Sequence, residues 1–187
     1  MRPMLLIASL LLPFATPAGA ALAPGAKAPD FVAKGAIAGK PFTLHLRSQL
    51  RKGPVVLYFF PAAFTGGCNA EARAFAEAVD EFRAAGATVI GMSADPLDKL
   101  EAFSAQHCAG KFAVASATPR VVRGYDVALG APASGKSAPI RTSRTSYVIA
   151  PDGRILYAHD DASPLEHVQR TLAAVQSWHR QHGGGRS

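Results

Sequence analysis

Val55-Val56-Leu57-Tyr58-Phe59-Phe60 is a run of six apolar, β-favouring residues with no polar break, entered through Gly53-Pro54. A strand with no polar face has to be covered on both sides, so this run predicts a central strand between two layers. The rest of the chain can furnish those layers. It has 187 residues, 49% apolar and 18% charged, which suits one domain and is too apolar for a disordered chain. Two cysteines cannot build a multi-bridge scaffold, and no internal repeat points to a solenoid.

Helical and strand patterns alternate after that run. Asn69–Ala85 sets Phe75, Ala78, Val79 and Phe82 at helical spacing, with Glu77, Asp80, Glu81 and Arg83 toward water and Gly86 as the stop. Thr88–Met92 predicts a second buried strand. Asp95-Pro96 then opens a helix, an acid cap followed by proline at the first position, running to about Cys108. Phe112–Ala115 is a third strand, followed by a short helix near Pro119–Tyr125. Upstream, Pro24–Lys40 has no clear period and reads as an extended lead-in, whereas Phe42–Leu46 alternates as a half-exposed strand does.

Downstream, Gly130–Ser143 reads as a loop. Thr145–Ile149, the turn Pro151-Asp152-Gly153 and Arg154–His159 read as a hairpin. Ser163-Pro164-Leu165-Glu166 has the form of a capping box, and Leu165, Val168, Leu172 and Val175 mark the apolar face of a last helix. This order predicts an α/β three-layer sandwich, a mixed central sheet with helices on both faces, as in a thioredoxin-like fold. Such a fold carries no chemistry of its own.

The first 20 residues read as an address. A positive start at Arg2, an apolar stretch Met4–Phe14 and the small-x-small Ala18-Gly19-Ala20 predict a cleaved secretory signal, with Ala21-Leu22-Ala23 as a second cleavage candidate. The apolar stretch falls well short of the roughly 20 residues that span a bilayer. The expected organisation is a signal at 1–20, a single domain at 21–180 and a flexible tail at 181–187. The mature protein is expected in a periplasm or secreted, where disulfides persist and no membrane contact remains. Arg2 is the one basic residue of the first 20, so the rest keeps 19 of the 20 Lys and Arg against 13 Asp and Glu. Those cations are scattered, with no Lys/Arg run interleaved with aromatics, so the surface is read as solvated and nucleic acid is not an expected partner.

Chemistry concentrates at Cys68. Pro61-Ala62-Ala63-Phe64-Thr65-Gly66-Gly67-Cys68 joins the central strand to the first long helix, which places the sulfur among unpaired helix N–H groups, where an anion is favoured. A thiol with pKa about 8.5 is only about 3% thiolate at neutral pH, and a pKa near 6 makes it about 90%. A helix terminus supplies about 0.3–1 kcal/mol, less than one pKa unit, so a cation is needed as well. Arg144, just before the strand Thr145–Ile149, is the candidate, expected beside Cys68 on a parallel neighbouring strand.

Pro61, Thr65 and Cys68 match Pro-x-x-x-Thr-x-x-Cys, and here the chain resembles the peroxiredoxins. Ala28-Pro29-Asp30-Phe31, Gly91-Met92-Ser93-Ala94-Asp95, Glu71 and the segment from Arg144 to Gly153 extend the resemblance over roughly residues 25–160. It is nearest the bacterioferritin-comigratory-protein subgroup. The resemblance implies a peroxide substrate, hydrogen peroxide or an organic hydroperoxide, attacked by Cys68, which becomes a sulfenic acid. It implies that Thr65 hydrogen-bonds the peroxide, that Arg144 holds the thiolate and the leaving oxygen, that Pro61 shields the sulfur, and that Glu71 orients Arg144. Glu71 could equally be solvated surface.

The chain also departs from that pattern. Arg73 stands where the subgroup often has its resolving cysteine, five residues after the first. The second cysteine, Cys108, falls one helical turn beyond Ser104, where other members place theirs. Cys108 is thus a candidate resolving cysteine; a static Cys68–Cys108 bridge and a bystander thiol stay open. Ala62 and Ala150 replace a common lysine and aspartate. No cofactor or metal is expected, since no His/Cys/Asp set has ligand spacing, and the absence of Cys-x-x-Cys excludes a thioredoxin-type dithiol as the active motif. The expected reductant is thioredoxin-like or a low-molecular-weight thiol, and the expected assembly a monomer or weak dimer. Two other classes of reading remain, a non-catalytic thioredoxin-like module and a thiol-disulfide transfer protein.

Overall fold

A computed structural model describes residues 21–130 and 140–183. The expected signal at 1–20, the middle of the expected Gly130–Ser143 loop and residues 184–187 of the expected tail lie outside the described residues. The elements run β1 (Val32–Ile37), β2 (Lys40–His45), α1 (Leu46–Leu50), β3 (Val55–Phe59), α2 (Gly66–Ala84), β4 (Thr88–Ser93), α3 (Leu97–Gln106), β5 (Ala113–Ser116), α4 (Pro119–Gly124), β6 (Thr145–Ile149), β7 (Ile155–Asp160) and α5 (Pro164–His182). The strands form one mixed sheet in the order β2-β1-β5-β4-β3-β6-β7. The expected α/β three-layer sandwich is the fold observed.

The apolar run lies near the middle of that sheet, and every residue of β3 is buried. Val56, Tyr58 and Phe60 join one core with α2, α3 and α5, while Val55, Leu57 and Phe59 join the other with α1 and α4. Alternate residues of one strand thus build two cores, as the unbroken run requires. Phe75, Val79 and Phe82 of α2 face inward, and Glu77, Asp80, Glu81 and Arg83 are exposed.

The partnership of β3 and β6 corrects one expectation. The pair is antiparallel, with Phe59 opposite Thr145 and Val55 opposite Ile149. The start of β6 therefore lies beside the end of β3, which delivers Arg144 to the same edge as the β3–α2 loop. A parallel strand would have carried it to the opposite end.

Five further expectations change. β1 lies inside the supposed lead-in, paired with β2 through a two-residue turn at Ala38 and Gly39, both at positive φ as a type I′ hairpin needs. The cap position of α3 is Pro96, not Asp95, whose carboxylate turns to the active-site loop instead. Ser163 caps α5 by position only, with no side-chain bond, and Glu166 pairs with Arg170. Leu165 is 56% exposed; the buried face of α5 uses His167 and Thr171 beside Val168 and Val175. His167 is satisfied there: Nε2 donates to the Asp161 carbonyl at 2.9 Å, and Nδ1 accepts from the Ser146 hydroxyl at 2.8 Å. α5 also continues through His182, past the domain end expected at residue 180.

Candidate active site

The site is built at the end of β3. Phe60 is pinned on both of its backbone groups, its N–H to Met92 O at 2.9 Å and its carbonyl to the Thr142 hydroxyl at 2.6 Å. Pro61, half-buried, follows at once and starts the loop. The loop turns through Phe64 at φ +66°, a left-handed conformation that costs a bulky residue about 1–2 kcal/mol. The Phe64 ring meets Phe103 and His107 edge-on, at centroid distances of 5.5 and 5.4 Å, and these contacts hold the strained turn.

α2 begins at Gly66, earlier than the hydrophobic period predicts, so Cys68 is the third residue of its first turn. The sulfur is thus inside the helix terminus, and the residue is 2% exposed beneath the exposed Thr65, Gly66 and Gly67. Arg144 Nη2 donates to Cys68 Sγ at 3.6 Å. The other guanidinium nitrogen, Nη1, donates to Glu71 Oε2. A donor fixed by a carboxyl group on one side and aimed at sulfur on the other stabilises an anionic sulfur more than a neutral one.

Glu71 is fully buried, its carboxyl group on the Arg144 guanidinium and not in water. Burial pushes its carboxyl up to about 8, with Arg144 pulling against that rise. Gly67 lies in the first turn of α2, beside that guanidinium. A Cβ on Gly67 would stand 3.1 Å from Arg144 Nη2 and 3.8 Å from Pro164 Cγ, so the missing side chain is the space the guanidinium occupies.

Thr65 stands at the N-cap position but makes no cap bond. Its hydroxyl donates to Ala62 O at 2.9 Å. With the single donor committed, the oxygen's lone pairs remain for whatever enters from the exposed side. Sequence reasoning missed the two residues that set this loop, Thr142 and Asp95. Asp95 belongs to a segment that the family resemblance had marked, and that was the one available signal.

Cys108 is placed differently from Cys68. α3 ends at Gln106, His107 is its cap, and Cys108 lies in the following turn, fully buried, ahead of Ala109 and Gly110 at positive φ. It shares an apolar cluster with Cys68, and both are free thiols, so the static bridge is not what this structure holds. Burial pushes the Cys108 thiol up. Ser104, a turn earlier, is buried too, and its hydroxyl accepts from Gly39 N at 2.9 Å and donates to Glu101 O at 2.8 Å, tying α3 to the β1–β2 turn.

Known proteins resemble this chain in sequence and in fold. The model of the AhpC/TSA family matches residues 24–158. A chloroplastic peroxiredoxin Q of Sedum lineare is 31% identical over 140 residues, 74% of this chain and 70% of that protein. The solved peroxidoxin BcpB of Mycobacterium tuberculosis superposes with a TM-score of 0.66 at 30% identity, covering 82% of this chain and 96% of that one. A Xanthomonas campestris bacterioferritin comigratory protein, solved in trapped intermediate and ligand complexes, gives 0.67 at 25% identity, covering 78% and 91%. Fold and relatives together define a thioredoxin-fold, thiol-dependent peroxidase. The chain belongs to the AhpC/TSA family, beside the peroxiredoxin Q and bacterioferritin-comigratory proteins.

Proposed function

We propose that Cys68 is the peroxidatic cysteine and that it works as follows. Its thiolate attacks the terminal oxygen of a hydroperoxide, an S–O bond forms as the O–O bond breaks, and water or an alcohol leaves with the proton. Cys68 becomes a sulfenic acid. Arg144 stabilises both the sulfur anion and the oxygen that takes up charge, and Glu71 holds Arg144 in place. Thr65 accepts a hydrogen bond from the peroxide O–H, its own proton being given to Ala62 O. Pro61 keeps the loop beside the sulfur short of backbone donors. The observation that carries this reading is the Arg144 contact to Cys68 Sγ at 3.6 Å, with Glu71 on the same guanidinium.

Cys108 then resolves the sulfenic acid, forming a disulfide and releasing water. A disulfide requires Cα atoms within about 7 Å, so the turn after α3 and the first turn of α2 open locally to bring the two sulfurs together. A thioredoxin-like protein or a small thiol reduces the disulfide. The substrates are hydrogen peroxide and organic hydroperoxides; alkyl peroxide reduction is the stated activity of the Xanthomonas relative. The protein acts in a periplasm or secreted, as a monomer or weak dimer, after removal of the segment at 1–20.

Mass spectrometry after one equivalent of hydrogen peroxide tests both cysteines. The wild type is expected to lose two hydrogens, Cys108→Ser to gain one oxygen, and Cys68→Ser to remain unchanged and consume no peroxide. A gain of oxygen in both the wild type and Cys108→Ser removes Cys108 from the mechanism. Peroxide consumption by Cys68→Ser removes Cys68.

A further inference from the structure

Asp95 lies two residues past the C-terminal end of β4, and its hydrogen bonds go to groups other than Cys68, Arg144 and Glu71. Its carboxylate nevertheless reaches into the active-site loop. Oδ2 accepts the Ala63 N–H at 2.6 Å and the Ser93 hydroxyl at 2.9 Å, and Oδ1 pairs with Lys99 Nζ at 2.8 Å. The Asp95 carbonyl accepts from Ser116 at 2.8 Å, which ties the residue to β5 as well. The side chain is 14% exposed. Burial pushes this carboxyl up, but the bonds from Lys99, Ala63 N–H and Ser93 outweigh it and hold it below the usual range.

The N–H that Asp95 holds belongs to the peptide unit joining Ala62 to Ala63. The carbonyl of that same unit accepts the Thr65 hydroxyl at 2.9 Å. A peptide unit is planar and trans, so its N–H and C=O point in opposite directions. Gripping the N–H on one side fixes where the carbonyl points on the other. Rotation of that plane would release both bonds together. The loop has reason to rotate, because Phe64 two residues on is in a strained left-handed conformation. A charged acceptor on the N–H also polarises the carbonyl and strengthens the bond it accepts.

We propose that Asp95 is a positioning residue for the peroxide step. By fixing the Ala62–Ala63 peptide it keeps the Thr65 hydroxyl turned inward as a donor and its lone pairs turned outward to the substrate. This rests on the reading of Thr65 as the peroxide's acceptor. Without Asp95 the peptide turns, the Thr65 hydroxyl rotates freely, and its oxygen meets the peroxide in the right orientation only part of the time. Cys68, Arg144 and Glu71 keep their mutual contacts, since none of those contacts passes through Asp95.

The test is a double-mutant cycle on the second-order rate of Cys68 oxidation by hydrogen peroxide, using the full chain. Thr65→Val is expected to slow the reaction at least tenfold, and Asp95→Ala about tenfold. The double variant is expected to be no slower than Thr65→Val alone. In a Thr65→Ser background, which keeps the hydroxyl, the Asp95→Ala loss should return. Asp95→Asn retains an oxygen for the Ala63 N–H and should recover most of the rate; Asp95→Ser, one atom too short to reach that N–H, replaces Asp95→Ala in the cycle if the alanine variant does not fold. Independent losses that multiply in the double variant, or an Asp95→Ala rate equal to wild type, overturn the proposal while Thr65 keeps its role. A Thr65→Val variant at the wild-type rate overturns the reading of Thr65 itself, and the proposal with it.

Discussion

Cys68 and Cys108 are equally hidden, 2% and 0% exposed, and line the same apolar cluster. Their surroundings otherwise have little in common. Cys68 stands in the first turn of a 19-residue helix with a guanidinium 3.6 Å from its sulfur. Cys108 stands in a turn beyond a helix end, where burial alone acts on its thiol and pushes it up. The rings of Phe64, Phe103 and His107 pack together where that turn begins, His107 being the residue before Cys108. Burial is thus common to the two cysteines, and the guanidinium beside the Cys68 sulfur is what separates them.

The most direct way to break the contrast is to remove the cation. Arg144→Met is expected to slow Cys68 oxidation by about 10²–10³-fold, the loss typical of one fixed donor to a developing anion. Rapid-mixing kinetics with hydrogen peroxide measures it, and a loss below threefold would show that the two cysteines differ for some other reason.

A smaller effect should come from displacing the cation without removing it. Gly67→Ala puts a methyl group 3.1 Å from Arg144 Nη2, and about a 30-fold slowing is expected while Cys108 reactivity is unchanged. Unchanged peroxide kinetics would mean that the guanidinium yields freely.

From the other side, the contrast sharpens if the cover on Cys108 is thinned. In a Cys68→Ser background, Phe64→Ala should raise the labelling rate of Cys108 by a thiol reagent about tenfold. Two edge-on contacts of about 0.5–1.5 kcal/mol each would no longer oppose opening. Labelling at the parent rate would remove the aromatic group from the control of Cys108.

The weakest handle is Glu71. Burial holds its carboxyl near 8, against 4.5 for a free one, so between those values the folded chain keeps a proton that the unfolded chain has lost. Stability should therefore fall as pH rises through that window, by at most about 1.4 kcal/mol per pH unit. Urea unfolding at pH 5.5 and 7.5 should give the lower midpoint at pH 7.5. Glu71→Gln should show a smaller difference, and an undiminished one would place the titration elsewhere.

Much of this architecture was readable residue by residue. The central strand, the wet and dry faces of α2 and the β6–β7 hairpin all rest on patterns that repeat within a few positions. β1 escaped notice because it contains Gly35 in an Ala-rich segment. That glycine is explained only by β5, since a Cβ there would stand 2.8 Å from Val114 O. Leu165 fits an apolar period and yet faces water, because the buried stripe of α5 runs through His167 and Thr171, whose polar atoms are paired.

The primary structure by itself determined the layered α/β fold and the choice of Cys68, because hydrophobic period and glycine–cysteine spacing are local properties of a chain. Only the tertiary structure decided that Arg144 arrives on an antiparallel strand, that Gly67 is space for its guanidinium, and that Asp95 holds the loop rather than capping a helix. Asp95 and Ala63 are 32 positions apart, and Thr142 and Phe60 are 82 apart. Whether such residues meet depends on the direction in which each strand crosses the sheet, and side-chain alternation along a strand is the same in either direction.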